Sequence, residues 1–454
     1  MALALWPVRY GSIAAATAEN CEEADLHLAS EQGGSSRGRL TENILSLYIL
    51  QGLNYVVPMA VLPYLVRVLG MEMYGLVAFA QSFAQYFTLF TDYGFNFSAT
   101  RSIARQRDDS KAVSKILCSV LLIKLALMFV GAVILLAIVA TVPRFHQSSG
   151  FFIAAYLAVA GNVLFPTSYF QGMEKMRYIS VVIGLARLLG AIALFVFVHR
   201  PEDALRSLVI QSLALVVGGI AGLWVAVQRF HLEFNWPGFA HLRSTLVEGW
   251  HLFVSTAAIG LYSNTNLFLV GLLAGNLQAG YFSAAEKVLR AMQGLIVPVS
   301  QAVFPHMSAL AARSRSSALR FAERTLKWMG AITLTTSIAV LILARPIAEL
   351  CFGQAGGGSV PVIRWIAPLP FLVAVSNVLG IQIMVTFGLD KQFSRILIFA
   401  GLLNISLAIP LIHLFAAKGA GASVLCTECF VSFVMILILR LNKIRLFSPE
   451  RQQA

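Results

Sequence analysis

Polar side chains recur at helical spacing inside otherwise apolar stretches of this 454-residue chain. Gln81, Gln85, Thr88 and Asp92 follow one another at intervals of four, three and four residues, which puts them on one helical face. Glu286, Lys287, Arg290, Gln293 and Gln301 form a second such set. His251, Ser255, Tyr262 and Asn266 form a third, and Gln51 with Asn54, then Pro58, a fourth. Lys124 and Arg187 stand as isolated cations in apolar runs. In hydrocarbon a charge costs about 2.5–3.5 kcal/mol on insertion scales, so such groups face protein or a water-filled cavity. Their chemistry is that of binding. Guanidinium forks match an anionic group such as a pyrophosphate.

Arg187, Lys287 and Arg290 are the expected anion contacts, with Gln293 and Lys124 beside them. Asp92 and Glu286 are the candidates for proton-linked switching. The cavity charge then tips to positive, where a cation exporter would be expected to show the opposite. Local readings compete at each position. Glu286 and Arg290 stand at i, i+4 and can neutralise each other. Lys124 lies about two turns from a helix end, within snorkelling reach. Arg187 lies near mid-span, which favours the cavity. Asp92 has Arg101 or a basic residue of another span as a plausible partner, and Glu428 has none evident. Any single Gln or Thr can make an interhelical hydrogen bond worth ~1 kcal/mol. Pro58 and Pro298, with Pro63 and Pro305, can kink their helices and serve as hinges.

Composition fixes what holds these residues. Of the chain, 58% is hydrophobic and only 12% charged, against about a quarter charged in soluble domains. A water-soluble enzyme is excluded, and 31 Phe residues exclude a disordered chain. A polytopic all-α membrane protein remains, with room for about a dozen helices of ~20 residues. The net charge of +13 reflects basic cytoplasmic loops rather than nucleic-acid binding. Cys118, Cys351, Cys426 and Cys429 lie in or beside apolar runs and read as small hydrophobes. The Cys426–Cys429 spacing has no second pair, Gly353–Gly358 lacks the Lys-Ser/Thr of a phosphate loop, and no His pair has metal spacing. No metal or cofactor is expected, with proton or sodium coupling left open.

Twelve apolar runs stand out, near 44–69, 75–98, 116–141, 150–170, 178–198, 206–228, 250–274, 281–304, 327–351, 361–387, 393–415 and 419–440. They are preceded by a polar, Gly/Ser-rich segment, 1–40, read as a disordered tail or an upstream start. The great majority of loop Lys and Arg residues fall on one side, including the clusters Arg101–Lys115 and Arg313–Lys327. Both termini are therefore expected in the cytoplasm. Gly70-Met-Glu-Met-Tyr74 and Gly275-Asn-Leu-Gln-Ala-Gly-Tyr281 occupy matching places, as do Gly172-Met-Glu-Lys175 and Gly388-Leu-Asp-Lys391. The expectation is two six-helix bundles in parallel repeat, 41–228 and 250–441, joined by a cytoplasmic linker, 229–249, and ending in a tail, 442–454. Spans 1, 2, 7 and 8 would then line a central cavity. A membrane enzyme would be expected to need larger outward loops, and a non-transporting scaffold would leave the matched polar stripes unexplained.

Leu62–Gly70, Tyr74-Gly75 and Thr91–Arg101, with Gln171–Lys175, Ala279–Lys287 and Phe304-Pro305, resemble the Wzx-type O-antigen flippases. That family belongs to the multidrug/oligosaccharidyl-lipid/polysaccharide exporter superfamily. The likeness covers about residues 41 to 445. It implies two six-helix bundles around a cavity in the bacterial inner membrane. It also implies transport of undecaprenyl-pyrophosphate-linked oligosaccharide for O-antigen, capsule or exopolysaccharide, with a polymerase and chain-length proteins as partners besides membrane lipid. Arg67, Asp92 and Arg101 match the family block, with no role carried over. A cation-coupled multidrug or metabolite exporter on the same scaffold is the alternative.

Overall fold

The computed structural model describes residues 25–230, 236–294, 296–442, 444 and 446. Side chains are described from Val57 onward, apart from Phe230 and short stretches on two later helices. Among the described residues the chain is helical throughout, without strands. Helix α1 (Asp25–Asp92) is broken at Gly70, whose φ of 74° with ψ of 163° suits a residue without a Cβ. Its two legs are runs 1 and 2 of the sequence. The polar segment 25–40, expected as an unstructured tail, is part of this helix; residues 1–24 lie outside the described residues.

Next come α2 (Phe95–Arg105), α3 (Ser110–Thr141), α4 (Pro143–His146), α5 (Ser149–Leu164), α6 (Thr167–Gly172), α7 (Met176–Phe197) and α8 (Ala204–Phe230). The second half holds α9 (Phe239–Ala274), α10 (Asn276–Gln293), α11 (Ile296–Arg313), α12 (Arg315–Phe352), α13 (Ser359–Ile366) and α14 (Leu369–Asn377). A π-helical stretch, Val378–Val385, extends α14, before α15 (Asp390–Phe415) and α16 (Ala417–Leu441). The expected linker 229–249 is mostly helix, because α9 starts at Phe239; residues 231–235 and 447–454 lie outside the described residues.

Nine helical segments among the described residues are long and apolar enough to cross a membrane, against the twelve runs read from the sequence. Runs 1 and 2 count as one segment because the two legs of α1 are joined through one residue, α10 carries Glu286, Lys287 and Arg290 within a few turns, and of run 7 the shorter stretch Asn264–Ala274 is counted among the described residues. The outer faces are apolar: Phe129, Phe197, Trp224, Ile342 and Phe433 are all more than 60% exposed. In water such a surface would aggregate; in hydrocarbon it is the required one. The protein is an all-α polytopic membrane protein.

Lipid supplies no hydrophobic drive between helices, so they associate by close backbone approach over small residues. Helices α5 and α8 do this. A Cβ on Gly161 would lie 2.4 Å from the Leu215 carbonyl carbon, and one on Gly219 would lie 2.5 Å from the Gly161 oxygen. Gly161→Val should therefore destabilise the protein by about 1–3 kcal/mol, read as a lowered unfolding temperature in detergent. An unchanged temperature would mean that this contact opens without cost.

The halves meet along the second leg of α1 and α9. Phe79 and Phe83 pack on Phe268 at ring-centroid distances of 5.6 and 5.7 Å, and Tyr93 stacks on Phe253 at 4.7 Å. One buried cluster runs from α1 and α5 through α9 and α10 to α12, α13, α15 and α16. The two halves thus share a core rather than enclosing a gap along their whole length.

Candidate functional site

The two legs of α1 fold back so that both reach one cavity of about 360 Å³. The first leg contributes Val57, Pro58, Val61, Leu62 and Leu65, and the second Gln81, Ala84, Gln85 and Thr88. Helix α5 adds Asn162, α7 adds Arg187, and α8 adds Gln211 and Ser212. From the second half comes Lys287 of α10, whose ammonium lies 5.0 Å from the centre of the Tyr74 ring. The 3–4 spacing on α1 aims Gln81, Gln85 and Thr88 to one side. Gln81 Nε2 donates to Gln211 Oε1 at 3.1 Å, fixing one amide across the cavity wall.

The structure therefore brings together Pro58, Gln81, Gln85, Thr88, Arg187 and Lys287. Asn162, Gln211 and Ser212 were not anticipated. Asn162 is the single amide of its run, and Gln211 and Ser212 are neighbours rather than one turn apart, so no periodic signal marked them. The cavity belongs mainly to the first half, whereas the sequence repeat suggested an equal share from spans 1, 2, 7 and 8.

Other expected site residues lie elsewhere. Lys124 Nζ donates to Asp92 Oδ1 at 2.7 Å, and the Lys124 side chain is only 6% exposed. It is buried and paired rather than snorkelling, and neither partner lines the cavity. Arg290 Nη2 meets Glu286 Oε1 at 2.8 Å one turn away, the local pair that the spacing allowed. Gln293, at the end of α10, is partly exposed and outside the cavity lining. Asn266 is buried and donates to Asn404 Oδ1 at 3.0 Å. Asn404 donates on to Thr427, and Ser423 donates back to Asn266, so this network fastens α9, α15 and α16. The side chains of Gln51, Asn54, His251, Ser255, Tyr262 and Pro298 lie outside the described residues.

The electrostatic consequence follows from these pairings. Asp92 and Glu286 each face a cation outside the cavity. Among the described lining residues there are two cations, Arg187 and Lys287, several amides and hydroxyls, and no carboxylate. A second cleft, of about 310 Å³ at the Tyr93 end between α2, α3 and α9, has a different character. It holds Lys115 and His241 but also Glu248. Burial holds the His241 imidazole below its usual range, Lys115 adds to this, and Glu248 opposes it. Mixed charge makes this cleft a poorer place for an anion than the cavity.

The fold is that of a membrane transporter. An inward-facing multidrug resistance MATE family transporter of the MOP superfamily superposes with a TM-score of 0.65 at 16% identity, over 88% of this chain and 98% of that one. A MOP superfamily transporter from Pyrococcus furiosus gives 0.60 at 14% identity, over 88% of this chain and 94% of that one. The family itself is set by sequence. Residues 40–311 match the family model described as "Polysaccharide biosynthesis protein". The chain is 35% identical over 405 residues to a protein of Escherichia coli (strain K12) named "Putative O-antigen transporter". That match covers 89% of this chain and 98% of the relative. A protein of Shigella dysenteriae with the same name is 30% identical, over 87% of this chain and 99% of its own length. This chain belongs to the polysaccharide biosynthesis protein family.

Proposed function

We propose that this protein is a flippase for undecaprenyl-pyrophosphate-linked oligosaccharide, moving repeat units for O-antigen, capsule or exopolysaccharide by alternating access. The observation that carries the reading is the cavity lining: Arg187 and Lys287 with no carboxylate among the described residues. A pyrophosphate brings negative charge into a low-dielectric site and needs cationic donors to replace its hydration. The amides of Gln81, Gln85, Asn162 and Gln211 offer donors and acceptors suited to sugar hydroxyls. The volume falls in the range of small-ligand sites, enough to hold a headgroup while the lipid tail stays in the bilayer. The relatives' printed name supports the same substrate class. The basic loops support cytoplasmic termini, so transport runs from the cytoplasmic leaflet outward.

Arg290 strengthens the reading. Its side chain is 52% exposed, on a helix that the reading of run 8 as a span places in the bilayer. An exposed guanidinium there calls for water rather than lipid on that face, and the same helix sends Lys287 into the cavity. The Asp92 and Glu286 pairs remain the proposed places for proton- or sodium-linked switching.

The test is reconstitution into vesicles containing a fluorescent pyrophosphate-linked glycolipid. Protein-dependent transfer between leaflets is expected, with a much slower rate for the same glycolipid lacking phosphate. Efflux of cationic drugs without glycolipid transfer would favour an exporter and end this reading.

A further inference from the structure

Two turns of the chain repeat at an offset of 205 residues, the difference between 275 and 70 and between 280 and 75. Gly70 and Gly75 correspond to Gly275 and Gly280. Gly70 and Gly275 both take a left-handed φ, 74° and 93°, with an extended ψ. The repeats do not merely resemble each other; they touch. A Cβ placed on Gly75 would lie 1.8 Å from the Asn276 carbonyl oxygen and 2.6 Å from the Gly280 nitrogen. A Cβ placed on Gly280 would lie 2.2 Å from the Met71 carbonyl oxygen. Met71 and Asn276 are related by the same offset, so the contact is two-fold: each glycine receives the carbonyl that follows the other half's turn.

Two arginines of the first half fasten the same end to carbonyls of the second. Arg67, just before the first turn, donates to the Leu350 carbonyl at the end of α12. Arg144, just after α3, donates to the Gly271 carbonyl shortly before the second turn. Between the crossing helices the hydroxyls of Tyr74 and Ser283 lie 3.2 Å apart, both buried. Around the crossing the two arginine bonds run to backbone carbonyls, and Tyr74 is the large side chain buried between α1 and α10.

We propose that this end of the molecule is a gate that shuts by backbone-on-backbone contact, with Gly75 and Gly280 as its paired closing surfaces. Transport opens it by separating α1 from α10. Any side chain at either glycine holds the helices apart and shifts the population toward the open gate. The inference rests on the alternating-access reading for its place in the cycle, and on the orientation above for facing away from the cytoplasm.

The experiment uses the full chain with its natural cysteines replaced and Ser283→Cys as reporter, labelled in intact cells by a membrane-impermeant maleimide. Labelling is expected to be slow with both glycines present. Gly75→Ala or Gly280→Ala should raise its rate by about tenfold or more. Gly357→Ala, where a Cβ meets nothing within 4 Å, should leave it unchanged. Equal rates in inserted Gly75→Ala, Gly280→Ala and Gly357→Ala proteins would overturn the proposal. A second arm keeps the glycines. Tyr74→Cys with Ser283→Cys is bridged by a short bis-methanethiosulfonate reagent. Glycolipid transfer should fall about tenfold or more relative to the unbridged chain and return on reduction. Full transfer by the bridged protein would also overturn the gate. Labelling needs no substrate, so a chain that labels as expected but moves no glycolipid supports the gate and refutes the substrate.

Discussion

Arg187→Ala is expected to lower transfer of the pyrophosphate-linked glycolipid by roughly 10- to 100-fold, with the protein still inserted. The size follows from the bond lost: a hydrogen bond to a charged group is worth about 1.5–3 kcal/mol. Arg187 lies on α7 across from the α1 amides and lines the cavity. Arg187→Lys keeps the charge but loses the planar fork, so it should fall between the two. Lys287→Ala should cost less, because an ammonium binds phosphate as a point charge rather than through a fork. The contrasting variant is Arg290→Ala. From the sequence alone Arg290 is one of the three expected anion contacts. Its guanidinium instead pairs with Glu286 and stands outside the lining, so its loss should matter less than that of Arg187. The measurement is surface polysaccharide in cells lacking the native protein, normalised to the amount inserted. Normal polysaccharide with Arg187→Ala and none with Arg290→Ala would move the binding site off this cavity.

Helix α1 and the isolated cations were the legible part of this site. Gln81, Gln85 and Thr88 are found by period because a single face of one helix carries them, and Pro58 because a proline stands out in an apolar run, although α1 runs through it and breaks at Gly70 instead. Arg187 and Lys287 are found by cost, since hydrocarbon does not tolerate them without a reason. What escaped is what only tertiary packing decides. Asp92 and Lys124 are 32 residues apart, and nothing in either run announces the other. Asn266 shares the spacing of a polar stripe yet faces Asn404 in a neighbouring helix rather than the cavity. Asn162 and Gln211 are single amides, invisible to any periodic test. The repeated glycine turns were legible as a repeat, but their contact was not. The sequence symmetry also misled in one respect, because a duplicated chain need not share its cavity equally. Here all the described lining residues but one come from the first half.

The pairing of Asp92 with Lys124 sets up the largest expected effect on stability, and it should be asymmetric. Lys124 is 6% exposed and Asp92 29%. Asp92→Asn leaves a buried ammonium without its counter-charge, which should cost about 3–5 kcal/mol, the range for breaking a buried ion pair from one side. Lys124→Met leaves the carboxylate, which retains some access to water at the end of α1, so the loss should be smaller. The double variant removes both charges and should recover most of the loss, because a buried pair replaced by neutral groups of similar size is often close to neutral. Thermal unfolding in detergent, analysed as a double-mutant cycle, measures the coupling. Losses that simply add would mean that the two groups do not interact in the folded protein. As a proposed coupling site the pair should also carry transport, so a folded double variant is expected to move glycolipid poorly. Transfer that simply follows the amount of folded protein would confine the pair to a structural part.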